Sequence, residues 1–175
     1  MATVVLAVAD VGLVDLYLRR PVMTKIATHP NPVRRPAPSF MLRAALDDVG
    51  GGDNFEQLWT KRVGEDHFEL CCIPFFAYDM ALGDVVRAEA ATGYVIQAVV
   101  KRSGNSVVRV AVKRPEDVDA AHLRLHDLFG RLEYLCEWFD PGYVAVSLEP
   151  GRSHDEFFTG LAELCEAVEV ERILI

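Results

Sequence analysis

The stretch SVVRVAVKRPEDVDAAHLRLHDLFGRLEYLCEWFDPGYVAVSL, residues 106–148, changes its hydrophobic period along its length, and the fold is read from those changes. Ser106–Val112 alternates, with Val108, Val110 and Val112 on one face and Arg109 and then Lys113 on the other, which predicts a half-buried strand. Pro115 suits the first helical position, and Glu116, Asp117 and Asp119 complement the positive end of a helix dipole. Val118, Ala121, Leu125, Leu128, Leu132 and Leu135 then form one helical stripe, with Gly130 marking where the regular helix weakens. Asp140-Pro141-Gly142 is the strongest turn signal in the chain, and the apolar runs on either side of it predict a hairpin.

Towards the C-terminus, Ser153 and Glu156 have the spacing of a capping box. The helix it would start buries Phe157, Leu161, Leu164, Cys165 and Val168 and leaves Glu163, Glu166 and Glu169 in water. VERILI reads as a last strand. From Ser106 the order is therefore β-α-β-β-α-β, the pattern of a ferredoxin-like sandwich in an α+β protein, with two helices on one face of an antiparallel sheet.

Towards the N-terminus, FEQLWTKRV, HFELCCIPFF, VVRAE after a Gly83-Asp84 turn, and YVIQAVVKR read as four short strands, a small curved sheet or barrel. Pro74 ends or bulges the second of them, leaving FFAYDMAL as a loop with exposed aromatics. Residues 24–39 hold Pro30, Pro32, Pro36 and Pro38 among basic residues and read as a linker or disordered arm. Before it, Val4–Leu18 is apolar but lacks a basic n-region, is interrupted by Asp10 and Asp15, and falls short of the ~20 residues that cross a membrane. It reads as an over-extended start, with Met23 and Met41 as alternatives, as a docking element, or as an amphipathic partner-binding segment. The expected division is an N-terminal extension and Pro-rich linker, partly disordered, over 1–54, a small β subdomain over 55–105, and the ferredoxin-like subdomain over 106–175.

A chain of 175 residues that is 51% hydrophobic and 25% charged buries a core of its own. Its net charge of −8 is concentrated in residues 115–175, where fourteen acidic side chains face four basic ones. That argues against a nucleic-acid backbone as partner and favours a basic protein. With no secretion signal, Cys71, Cys72, Cys136 and Cys165 are expected to be reduced thiols in a cytoplasmic protein.

Motifs for catalysis or cofactors are absent. No glycine-rich phosphate loop, nucleophile elbow or C-x-x-C pair occurs, so no catalytic residue, metal ligand or cofactor is assigned. His122 and His126 have the spacing to share a metal, yet the residues between them supply no carboxylate and a surface helix explains them better. Cys71 and Cys72 read as packing residues, and Glu65, Asp66, Glu69, Asp79 and Asp84 as charged loop and strand faces. Lys101, Arg102, Arg109, Lys113 and Arg114, with Trp59 and Tyr94, are the one basic and aromatic set that could cradle RNA.

FEQLW at 55–59, IPFFAYDMALGDVV at 73–86 and SGNSVVRV at 103–110 together resemble the bacterial domain of unknown function 4265 family. Cys72 and Val107 stand where that resemblance leads one to expect polar residues. The resemblance implies a bacterial intracellular protein and supplies no activity. With the aromatic loop, it singles out Trp59, Pro74, Phe75, Phe76, Tyr78, Gly83, Asp84, Ser103, Gly104 and Asn105 as a candidate binding surface. The resulting expectation is a non-enzymatic binding protein of the immunity or antitoxin kind. An RNA-associated or small-ligand-binding regulatory module is the alternative.

Overall fold

The computed structural model describes residues 26–35, 39–46 and 54–173. The apolar segment Val4–Leu18, with its alternative start at Met23, lies outside them. The first sheet comprises β1 (Ile26–Ala27), β2 (Phe40–Ala45), β3 (Phe55–Arg62), β4 (His67–Leu70), β5 (Val85–Ala88) and β6 (Ile96–Lys101). Its path runs β1-β3-β4-β5-β6, with β2 also on β3. β3 is long enough to serve two partners: Phe55–Thr60 pairs with β2, and Thr60–Arg62 pairs with β4. The sheet curls until Arg43 of β2 meets Val95 in an isolated parallel bridge, and it stays open rather than closing into a barrel. Leu42, Ala44, Leu58, Phe68, Leu70, Val86 and Ala88 fill its concave side.

Of the region read as N-terminal extension and linker, residues 26–35 and 39–46 thus carry β1 and β2 of the first sheet. β1 runs parallel to the start of β3, β2 covers most of its length, and Ala27, His29, Leu42 and Ala44 are buried. Pro30 and Pro32 follow β1 without preventing Ile26–Ala27 from pairing with β3.

The second sheet comprises β7 (Ser106–Val112), β8 (Cys136–Asp140), β9 (Tyr143–Leu148) and β10 (Val168–Ile173), in the order β10-β7-β9-β8 and antiparallel throughout. Two helices, α1 (Val118–Arg131) and α2 (Asp155–Ala162), cover one face. There Val108, Val110, Val144, Val146 and Leu148 pack on Leu125, Leu128, Phe129, Phe157 and Leu161. Gly160 lets the helices approach closely: a Cβ on it would stand 2.5 Å from Leu128 Cδ1.

β7 departs from the half-buried strand that its alternation suggests. Its second face is buried too, with Val107 and Ala111 joining Tyr143 and Ala145 in the first core, and Arg109 is only 1% exposed. The second helix also differs. Ser153 Oγ accepts the Asp155 N–H at 3.4 Å and donates to the Asp155 carboxylate at 3.0 Å, but Glu156 pairs with Arg131 at 2.7 Å instead of completing the capping box, and the helix stops at Ala162, which leaves Cys165 exposed. No helix among the described residues is long and apolar enough to cross a membrane.

Candidate functional site

β4 ends at Leu70, and the chain returns to β5 through a loop whose two ends are tied by Leu70 N–H to Asp84 O and Gly83 N–H to Leu70 O. Cys72, Ile73, Phe75, Phe76, Met80, Ala81 and Leu82 of this loop are all buried. The aromatics read from the sequence as exposed therefore face inward, with Phe75 0% and Phe76 2% exposed. A buried loop has no ladder to satisfy its main chain, so its N–H and C=O groups need partners from side chains.

Glu56 and Arg109 supply most of them. Glu56 accepts the N–H groups of Phe75, Phe76 and Ala77 at 2.5, 2.9 and 2.8 Å. From the other side the Arg109 guanidinium donates to the carbonyls of Pro74, Phe75 and Ala77 at 3.0, 2.5 and 3.2 Å and lies over the Tyr78 ring. The Tyr143 hydroxyl adds a second bond to Phe75 O at 3.1 Å. Downstream, the buried Asp84 carboxylate accepts from Ser103 N–H at 2.7 Å, Ala81 N–H at 3.2 Å and Arg102 at 3.1 Å, while the Asn105 amide donates to Leu82 O at 2.8 Å. Gly83 turns at φ +84°, where a Cβ would press on Ser103, and Gly104 turns at φ +87° against Pro150.

At the loop's start stands a histidine between two glutamates. His29 Nε2 donates to Glu56 at 2.9 Å and Nδ1 to Glu137 at 2.5 Å, and its ring stacks flat on Phe75. Glu137 also accepts the N–H groups of Val33 and Ile73 at 3.0 and 2.9 Å. The Trp59 indole N–H fixes the His29 carbonyl at 2.8 Å. Burial by itself would lower the His29 pKa, but the bonds to Glu137 and Glu56 and their charges outweigh it and raise the value to about 9, so both ring nitrogens carry protons at neutral pH. Burial would likewise raise the Glu56 pKa, and the His29 bond and charge with the Phe75 and Phe76 N–H groups hold it below its ordinary value instead.

The candidate binding residues are thus brought together around one loop, though as its fastenings and filling rather than as an open surface. Arg109 lies inside, so the basic and aromatic face suggested for RNA loses its central cation. Of the acidic residues, Asp84 is buried in its turn, Asp79 is exposed, and Glu69 lies 4.0 Å from Arg34. Burial pushes the Cys72 thiol well above its usual pKa and the Cys71 thiol up as well, which suits packing rather than nucleophilic roles. His122 bonds Pro141 O and packs 4.2 Å from Trp138, and among the described residues no three His, Cys, Asp or Glu side chains are placed to hold a metal.

His29, Glu56, Tyr143 and Glu137 are the residues that sequence reasoning did not place in the site, and Arg109 was named only in the exposed basic set suggested for RNA. One local signal existed, an arginine inside the valine run of β7.

Fold and site together define an α+β protein in which a curled sheet holds a pinned loop against the back of a helix-covered sheet. The chain belongs to the family described as domain of unknown function (DUF4265), whose model matches residues 56–171. Its fold is similar to that of a hypothetical protein from Neisseria gonorrhoeae, with a TM-score of 0.58 and 20% identity over 76% of this chain and 92% of that one. Comparison with curated proteins finds no match.

Proposed function

We propose that the chain is a non-enzymatic binding protein of the bacterial cytoplasm, of the immunity or antitoxin kind, whose helical layer meets a basic protein partner. The order β-α-β-β-α-β with strands β10-β7-β9-β8 supports reading the C-terminal half as a ferredoxin-like sandwich. Likeness to a Neisseria protein supports the bacterial reading. The non-enzymatic reading is supported by the site above, where the carboxylates and the imidazolium are bonded to main chain and to one another in the core.

The observation that carries the binding surface is a groove of about 380 Å³ between α1 and α2. Leu128, Gly160 and Leu164 line it, and Leu123, 70% exposed, stands among its residues with Asp127 and Glu163. Asp155, Glu163 and Glu166 make the α2 rim acidic, while Arg124 and Arg131 line the α1 side and Arg131 is paired with Glu156 at 2.7 Å, so a basic partner would be steered along the α2 rim towards an apolar centre.

The test is affinity capture with the full chain beside Leu123→Asp and Glu163→Lys, at low and high salt. A stoichiometric basic protein that Leu123→Asp loses, and that Glu163→Lys and salt weaken, is the expected result. No partner, or one that both variants retain unchanged, rejects the reading.

A further inference from the structure

The pocket around His29 is built by other parts of the chain. Glu56, Phe75 and Glu137 lie within residues 56–171, the span that matches the family, whereas His29 reaches them from a segment before it. Main-chain N–H groups of Phe75, Phe76 and Ala77 hold Glu56, and that of Ile73 holds Glu137, so the carboxylates are positioned without help from the ring.

What those groups select is a shape as well as a charge. The imidazole lies 4.3 Å above Phe75 with the planes 2° apart, and its two nitrogens meet two different carboxylates. An aromatic floor with a carboxylate at each side of the rim suits a flat cation with two in-plane donors, an imidazolium or a guanidinium. A tetrahedral ammonium cannot stack and reach both carboxylates in the same way.

Besides the ring, the segment is held at separate points. It pairs with β3 over Ile26–Ala27, with Ala27 and Val33 against the core, takes the Trp59 indole N–H on the His29 carbonyl, gives Val33 N–H to Glu137 and Arg34 N–H to Cys71 O, and sets the Arg34 and Arg35 guanidinium groups near Glu69 and over the Trp59 ring.

We propose that the Glu56–Phe75–Glu137 pocket is a binding site for a planar organic cation, filled here by the chain's own His29, and that residues 26–35 act as a strap which an incoming guanidinium or imidazolium displaces. This is a different site from the helical groove and stands or falls separately from it. An occupant tethered in the same chain competes at an effective concentration on the order of mM. An external cation therefore binds the wild-type chain weakly, and a chain without the ring at least ~10-fold more tightly.

Full-length His29→Ala is titrated with imidazole, methylguanidinium and methylammonium while its thermal midpoint is followed, beside wild type and His29→Ala/Glu137→Gln. The expected result is a midpoint that rises with imidazole and methylguanidinium in His29→Ala alone and stays unmoved by methylammonium. A peptide of residues 26–35, and the same peptide with alanine for the histidine and for both arginines, distinguish a side-chain ligand from a free small cation: a rise with the first peptide only assigns the site to peptide side chains, and a rise with small cations only assigns it to free ligands. If His29→Ala does not fold alone, it is refolded with and without excess imidazole, and recovery with imidazole supports the site. No response to either planar cation, an equal response in the Glu137→Gln background, an equal response to methylammonium, or no recovery on refolding overturns it.

Discussion

Glu56 and Arg109 hold opposite edges of the same piece of main chain, the carboxylate on the N–H groups of Phe75 to Ala77 and the guanidinium on the carbonyls of Pro74, Phe75 and Ala77. Losing either leaves several buried polar groups without partners. Glu56→Gln and Arg109→Met are each expected to lower the unfolding free energy by about 3–5 kcal/mol in urea titrations. The double variant should lose less than the sum, because releasing one edge removes what the other holds. Strict additivity would show that the two residues act on the loop separately.

Stability should depend on pH through His29. Its folded pKa of about 9 lies above the ordinary 6.5, so the stabilisation is complete below about 6.5 and is lost as pH rises towards 9. The loss amounts to about 3 kcal/mol over that window. Glu56 works in the opposite sense: its folded value is lowered, so its contribution is present above the ordinary glutamate range and is lost on acidification through the folded value. Denaturant titrations across this range should show the alkaline decline in wild type and a flatter profile in His29→Gln.

Closely packed helices make Gly160 sensitive. A Cβ at that position would meet Leu128 Cδ1 at 2.5 Å, so Gly160→Ala is expected to lower stability by about 1–3 kcal/mol despite alanine's better helix propensity. Adding Leu128→Ala should make the cost of the glycine change smaller. Thermal midpoints of the four chains check this.

A chain begun at Met41 lacks β1, His29 and Phe40, whose ring packs 5.0 Å from Phe68 and 4.7 Å from Tyr94. It also leaves Glu56 and Glu137 buried without their cation. Such a chain is expected to lose fixed tertiary structure, read as a collapse of the near-ultraviolet circular dichroism signal that the full chain displays. A truncated chain with an unaltered spectrum would show that the first sheet does not need the strap.

Thiol accessibility offers a check on the packing around the loop. Cys165 is exposed and Cys136 partly so, while Cys71 and Cys72 are buried with raised pKa values. A thiol-reactive disulfide reagent should label Cys165 first and reach Cys72 only on unfolding. Early labelling of Cys72 would show that the loop opens in the native state.

The regular elements were legible in the sequence because each carries its own period. The four short strands from Phe55, the strand Ser106–Val112, the Asp140-Pro141-Gly142 hairpin and the stripe of Ala121, Leu125 and Leu128 all appear, although β7 is buried on both faces and Phe129 joins that stripe unannounced. The site was much less legible. His29 meets Glu56 and Glu137 across 27 and 108 residues of chain, and no local pattern announces such a meeting. Charge was read as a mark of solvent, and Arg109 reverses that reading because the loop on its side offers three carbonyls in need of donors. Phe75 and Phe76 looked exposed for a related reason: a loop between strands is ordinarily outside, and only the supply of buried polar partners allows this one to lie within.

The second sheet is a wall shared by two rooms, since β7 and β9 give one face to the helices and the other to the pinned loop. Neither half of the chain can then close its interior without the other, and dividing the protein between residues 105 and 106 would leave each piece with half of a seal. Unfolding should accordingly be a single event for both cores, with the central β7 amides the last to exchange their hydrogens.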